Sequence, residues 1–239
     1  MSYCDGDVQW MRAGRGVIHE EMWDLREADW KHKKIEIFQL WVNLPAKSKS
    51  LSPSLHVLKS EAIPVIDCGK GVSIKVICGS LLDVSHASGA IDSEELAREN
   101  METPQNEITT DGPGSQICES PVSILHASMS EAHSTLDLST EMDCTMTVYV
   151  RRGSMILDDV GKTEIRAGDC VIYRQSASDS ARRGTEQGTV SLTAGASGLD
   201  ALLLTGKPLN ERVIWQGPLV MADEESFRRS AEGFNRYEH

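Results

Sequence analysis

Short β-patterned segments, closely spaced and broken by turn residues, constrain this chain most. From Val122 onward they recur at 122–126, 134–138, 145–150, 154–157, 163–165, 170–173, 188–193 and 199–204. Arg152-Gly153, Gly161-Lys162 and Ala167-Gly168-Asp169 are turn signals between them, and Asp169 suits a strand-entry cap. Strands this short and this numerous bury their apolar faces only by closing into an antiparallel barrel or sandwich. The same texture marks the N-terminal third. Segments 7–11 and 16–22 flank a Gly-rich turn, Ile35 to Leu44 is an apolar run ended by Pro45, and 64–68 with 72–78 read as a hairpin around Gly69-Lys70-Gly71. Only Asp223 to Phe234 reads clearly as a helix, with Asp223 as N-cap and acidic residues in the first turn.

Residues 86–120 interrupt the pattern. Asp92, Glu94, Glu95, Glu99, Glu102, Glu107, Asp111 and Glu119 lie there with little apolar content, so the stretch reads as a flexible acidic insertion with at most a short helix over 93–101. The chain therefore divides into 1–85, a first β domain; 86–120, the insertion; and 121–239, a second β domain with the helix. A net charge of −12 argues against direct nucleic-acid binding, which needs a basic footprint. The six cysteines include no C-x-x-C pair, so the thiols are expected reduced, mostly buried, and the compartment intracellular. Met1 to Gly6 does not read as a signal peptide and no apolar run approaches a membrane span, so no membrane partner is expected.

Chemistry concentrates in Gly6-Asp7-Val8-Gln9-Trp10-Met11-Arg12-Ala13-Gly14-Arg15-Gly16-Val17-Ile18-His19-Glu20-Glu21-Met22. In a strand after the turn, Val17, His19 and Glu21 would share one face. An imidazole and a carboxylate converging in a barrel are two ligands for a divalent metal, and this pairing suits iron. The competing reading is a solvated polar pair. Two donors alone bind weakly, and His32 and His56, the nearest additional histidines, lie in polar surroundings that suit the surface. In the second domain, His126 and His133 are seven apart and are expected to lie separately. Trp10 and Trp41 read as core aromatics in preference to a ligand pocket, and the pairs Arg182-Arg183 and Arg228-Arg229 as solvated faces.

The Gly6–Met22 stretch, followed by Phe38-Gln39-Leu40-Trp41-Val42-Asn43-Leu44-Pro45-Ala46-Lys47, resembles the pirin family. The likeness resumes over 122–237, above all at Leu199-Asp200-Ala201-Leu202-Leu203-Leu204-Thr205-Gly206-Lys207-Pro208-Leu209-Asn210-Glu211 and Gln216-Gly217-Pro218-Leu219-Val220-Met221. The resemblance implies an all-β bicupin: two antiparallel cupin-type barrels, the N-terminal one holding Fe. It implies three histidines and one glutamate as ligands, with His19 and Glu21 in the positions of the last pair. The other two histidines belong to an H-x-H strand upstream. No H-x-H occurs here; the histidines are 19, 32, 56, 86, 126, 133 and 239. The expectation is thus an incomplete first barrel with a degenerate metal site. Arg212 also departs from the family, which commonly has proline there.

Two functions follow from the resemblance. One is an iron-binding regulatory protein of the nucleus or cytoplasm, a transcription-cofactor type that contacts a transcription factor or another protein. The other is a quercetin 2,3-dioxygenase, cleaving a flavonol ring at non-haem iron with Glu21 as ligand and catalytic proton acceptor. A third reading is a metal-free remnant in which the second barrel outlasts half of the first.

Overall fold

The computed structural model describes residue 4 and residues 6–22, 36–79, 84–85, 111–141, 143–158, 162–174 and 187–235. Among these, the strands are β1 (Val8–Arg12), β2 (Ser54–Leu58), β3 (Val65–Asp67), β4 (Val72–Cys78), β5 (Val84–Ser85), β6 (Val122–Met129), β7 (Thr135–Glu141), β8 (Thr145–Ile156), β9 (Glu164–Arg166), β10 (Cys170–Arg174), β11 (Gln187–Gly206), β12 (Ile214–Gln216) and β13 (Leu219–Met221). One α-helix, α1 (Glu224–Asn235), follows them. Every strand pairing given by register is antiparallel. The all-β class with a short C-terminal helix is therefore what the chain adopts. No helix among the described residues is long and apolar enough to cross a membrane.

The chain forms two compact units, one of residues 1–10 and 57–208, the other of 11–56 and 209–239. In the first, β8 and β11 are long enough to take different partners along their length within one nine-stranded sheet. Its main path runs β3-β4-β6-β11-β8-β10, and β5, β7 and β9 branch from that path. β11 pairs with β7 through Gln187–Thr193 and with β6 through Leu199–Gly206. β8 pairs with β10 through Thr145–Tyr149 and with β9 through Ser154–Ile156. The change of partner falls where the β8–β11 register slips between Ala194 and Leu199. Gly153 (φ 72°) and Gly198 (φ 79°) meet at that corner. A Cβ on Gly153 would sit 2.1 Å from the Gly198 carbonyl oxygen, so the bend requires glycine.

Folding both strands over this corner encloses one apolar core. Its members alternate along each strand: Val72, Ile74 and Val76 on β4, Leu125, Ala127 and Met129 on β6, Met146, Val148 and Val150 on β8, Leu199, Ala201 and Leu203 on β11. Further members are Leu136 and Leu138 on β7, Met155 on the later part of β8, and Val190, Leu192 and Ala194 on the earlier part of β11. The core members on β8 are thus methionine and valine.

In the second unit, Gly14 (φ 52°) lies so close to the chain that a Cβ there would be 2.1 Å from the Leu51 carbonyl oxygen, the same oxygen that accepts from the Arg15 amide at 2.9 Å. β12 and β13 form a hairpin, and α1 lies against β13. Asp223 caps α1 by accepting from the Ser226 amide at 2.7 Å. Later on α1, the Ser230 hydroxyl donates to the Arg15 carbonyl at 3.3 Å.

Several sequence expectations shift. Residues 17–22 and 36–45 form no strand, although their β-branched and apolar content suits one. Segments 145–150 and 154–157 fuse into β8, and 188–193 with 199–204 into β11. The hairpin β3–β4 (register Val65↔Lys75), placed by sequence in the first domain, extends the sheet of β6 instead. Residues 209–239 group with 11–56, a division that differs from boundaries at 85 and 121. Residues 93–101 and Arg182-Arg183 lie outside the described residues.

Leu203 is wholly buried where β11 crosses between β6 and β8. Leu203→Ala removes a packed side chain and leaves a cavity, at a cost of about 2–5 kcal/mol. Urea denaturation followed by circular dichroism should show the midpoint fall accordingly. A change under about 0.5 kcal/mol, the size typical of a surface substitution, would contradict this core.

Candidate metal centre

His19 and Glu21 lie in the irregular stretch after the Gly14–Gly16 turn, and both are exposed. Their neighbours Val17, Ile18 and Met22 are 40%, 57% and 84% exposed. Without a strand, spacing two no longer forces the two side chains onto one face. Among the described residues no three or more of His, Cys, Asp and Glu gather as a metal-binding group. His56 sits exposed on β2, and His32 lies outside the described residues. The two donors therefore do not fit a closed four-ligand iron site.

Much of the surrounding motif is structural. Asp7 accepts from Lys59 Nζ at 2.8 Å and from the amides of Ser60 and Cys4 at 2.9 Å each. The Lys59 ammonium, then the two amides, hold the Asp7 carboxyl down at about 2 from its ordinary 3.8. Trp10 is half-buried, its ring against the backbone of Gly114, where a Cβ would be 3.0 Å away. Trp41, in contrast to its expected core placement, is 62% exposed and stacks at a tilt on Trp215, centroids 6.2 Å apart.

The later motif contributes polar groups that sequence reading did not single out. Asp200 accepts from Arg151 Nη1 at 2.8 Å and lies 2.8 Å from His126 Nε2. A bulge makes this possible: Asp200 faces Arg152 while Ala201 faces Val150, which leaves Arg151 as the extra residue. His126 thus sits on the half-buried outer face of the sheet, and His133 stands in an exposed turn. Glu211 accepts from the Ala46 amide at 2.6 Å. Lys49, only 5% exposed, donates to the Asn43 side chain. Burial pulls the Lys49 pKa down, and Glu211 offsets part of that. A Lys in a Ser/Lys-rich connection carries no sequence signal of burial. The only hint was that Asn43 and Glu211 each belong to a long motif.

The model of the pirin C-terminal cupin domain matches residues 125–238, and that of pirin matches residues 2–42. The chain belongs to the pirin family. Pirins fall within the cupin superfamily, and the sheet of β3–β11 agrees with that fold. A pirin-like protein of Caulobacter vibrioides is 26% identical over 97% of this chain and 67% of its own length. A Pseudomonas aeruginosa protein provisionally named a quercetin 2,3-dioxygenase is 28% identical over 96% of this chain and 66% of its own. The crystal structure of a quercetin 2,3-dioxygenase from Acinetobacter baumannii superposes with a TM-score of 0.67 at 24% identity, over 99% of this chain and 67% of that one. This chain therefore spans about two thirds of the length of the pirin relatives it matches.

The Asp7 clasp sets a pH dependence. A carboxyl with a folded pKa near 2 and an ordinary value of 3.8 binds fewer protons folded than unfolded between those values. Its stabilisation is complete above pH 3.8 and disappears as pH falls through about 2. In Asp7→Asn, thermal stability should change less with pH across this window than in the unsubstituted chain. Parallel curves for the two proteins would show that the clasp is absent in solution.

Proposed function

We propose that this pirin works by binding, as a regulatory protein of transcription-cofactor type that meets a transcription factor or another protein in the nucleus or cytoplasm, and that His19 and Glu21 form a weak, degenerate iron site. The observation that carries the reading is the donor set. Two exposed donors on an irregular stretch, with no metal-binding group of three among the described residues, suit loose metal binding better than an ordered centre for a flavonol. The net charge of −12 favours a protein partner over nucleic acid. The exposed Trp41–Trp215 pair offers aromatic surface of the kind enriched in protein interfaces.

The second reading, a quercetin 2,3-dioxygenase with Glu21 as proton acceptor, draws on the name of the Pseudomonas relative. One assay separates the two. The chain is incubated with excess Fe(II), and quercetin and dioxygen consumption are followed, with bound iron measured after desalting. The expected result is less than one iron retained per chain, lowered further in His19→Ala and Glu21→Ala, and no quercetin consumed. Stoichiometric iron together with quercetin cleavage that either substitution abolishes would establish the enzyme instead.

A further inference from the structure

We propose that Cys78 and Cys118 are a redox modification site, a dithiol that closes to a reversible disulfide and fastens the segment ahead of β6 to the end of β4. Cys78 is the last residue of β4, just after the register slips between Val76 and Cys78. Cys118 follows the 3-10 turn Pro113–Gln116. That turn lies directly on the strand end. A Cβ on Gly112 would be 2.4 Å from the Ile77 carbonyl carbon, and one on Gly114 would be 2.9 Å from Cys78 Cβ. Hydrogen bonds fix the contact: the Gly112 amide donates to the Gly79 carbonyl at 2.9 Å, and the Gly79 amide to Ser115 Oγ at 2.7 Å. The Cys118 amide donates to the Gly114 carbonyl at 2.8 Å, which ties that residue to the turn resting on Cys78. Cys78 Sγ also lies 3.7 Å from the Val122 carbonyl oxygen, and Cys118 Sγ 3.2 Å from that of Ser120.

The two sulfurs are unequal, as an attacking and a resolving thiol must be. Cys78 is buried, at 1% exposure, whereas Cys118 is half-buried and open to a small oxidant. Donation from Cys78, helped by the Ser120 backbone, lowers the Cys118 pKa. The same bond, with burial, raises that of Cys78. With hydrogen peroxide as oxidant, the Cys118 thiolate attacks one oxygen, the O–O bond breaks, and the departing hydroxide is protonated to water. The sulfenic acid left on Cys118 is attacked at sulfur by Cys78. Its S–O bond breaks, and the leaving hydroxide takes the Cys78 proton. Two thiols lose two electrons, one peroxide becomes two waters, and one S–S bond forms.

Treating the full chain with peroxide under native conditions, then denaturing and alkylating, tests this. The expected mass is that of a chain lighter by two hydrogens, with four of the six cysteines alkylated and a proteolytic fragment pair joined through Cys78 and Cys118. Dithiothreitol should restore six alkylated cysteines. Cys78→Ser should stop at a sulfenic acid on Cys118, captured by dimedone; Cys118→Ser should give no cross-link. Because the fragment mapping uses the unsubstituted chain, the result stands even if either variant folds poorly. Cys78 and Cys118 both still alkylated at a peroxide dose that already oxidises the exposed Cys4 or Cys170, or a cross-link between any other pair, would overturn the proposal.

Discussion

The meeting of Gly153 with Gly198 is the constraint on which the larger unit depends. Two long strands must bend there together to exchange one set of partners for another. Had either position carried a side chain, β8 or β11 would continue straight and the branch strands would lose their partners. Because both turn, side chains from β4, β6 and β7 meet those of β8 and β11 in one core. Among the described residues the unit's core is apolar. Its polar chemistry is displaced to the outer face, where Asp200 joins His126 and Arg151.

This corner also explains what was and was not legible in the sequence. Alternation at Val72–Cys78 and Thr145–Val150 announced strands with one buried face, and that is how they fold. A glycine at positive φ, however, looks the same in a hairpin turn and in a bend within one strand. Local turn chemistry is identical, and only the pairing of distant residues tells the two apart. Gly153 therefore reads as an end when it is a corner. The same limit accounts for β3 and β4, whose alternation shows a buried face but not which sheet they join. Residues 36–45 show the converse: their composition favours β structure, yet they form no strand.

The motifs that carry the family likeness are in large part devices for satisfying backbone groups. Asp7 collects two amides and an ammonium, Glu211 takes the Ala46 amide, and Asp223 takes that of Ser226. Each carboxylate stands at the edge of regular structure, where donors are left without a ladder. An ionised acceptor there makes the stronger class of hydrogen bond. Specific wording in a sequence can thus mark architecture as readily as chemistry. Within Gly6–Met22, Asp7, Gly14 and Arg15 make such contacts with other described residues, and the candidate ligands come after them.

That ordering bears on the metal question directly. A donor pair held by a strand has its geometry fixed before a cation arrives. Among the described residues His19 and Glu21 sit on backbone with no ladder, so an ion that engages both would have to fix the two side chains itself. Part of the binding free energy is then consumed in ordering, and affinity becomes a measure of how far something else has already fixed the segment. A partner that orders residues 17–22 would raise metal affinity, and by linkage metal would strengthen that partner's binding by the same factor. Under the proposed regulatory reading, a site of this kind would couple a metal to a binding event.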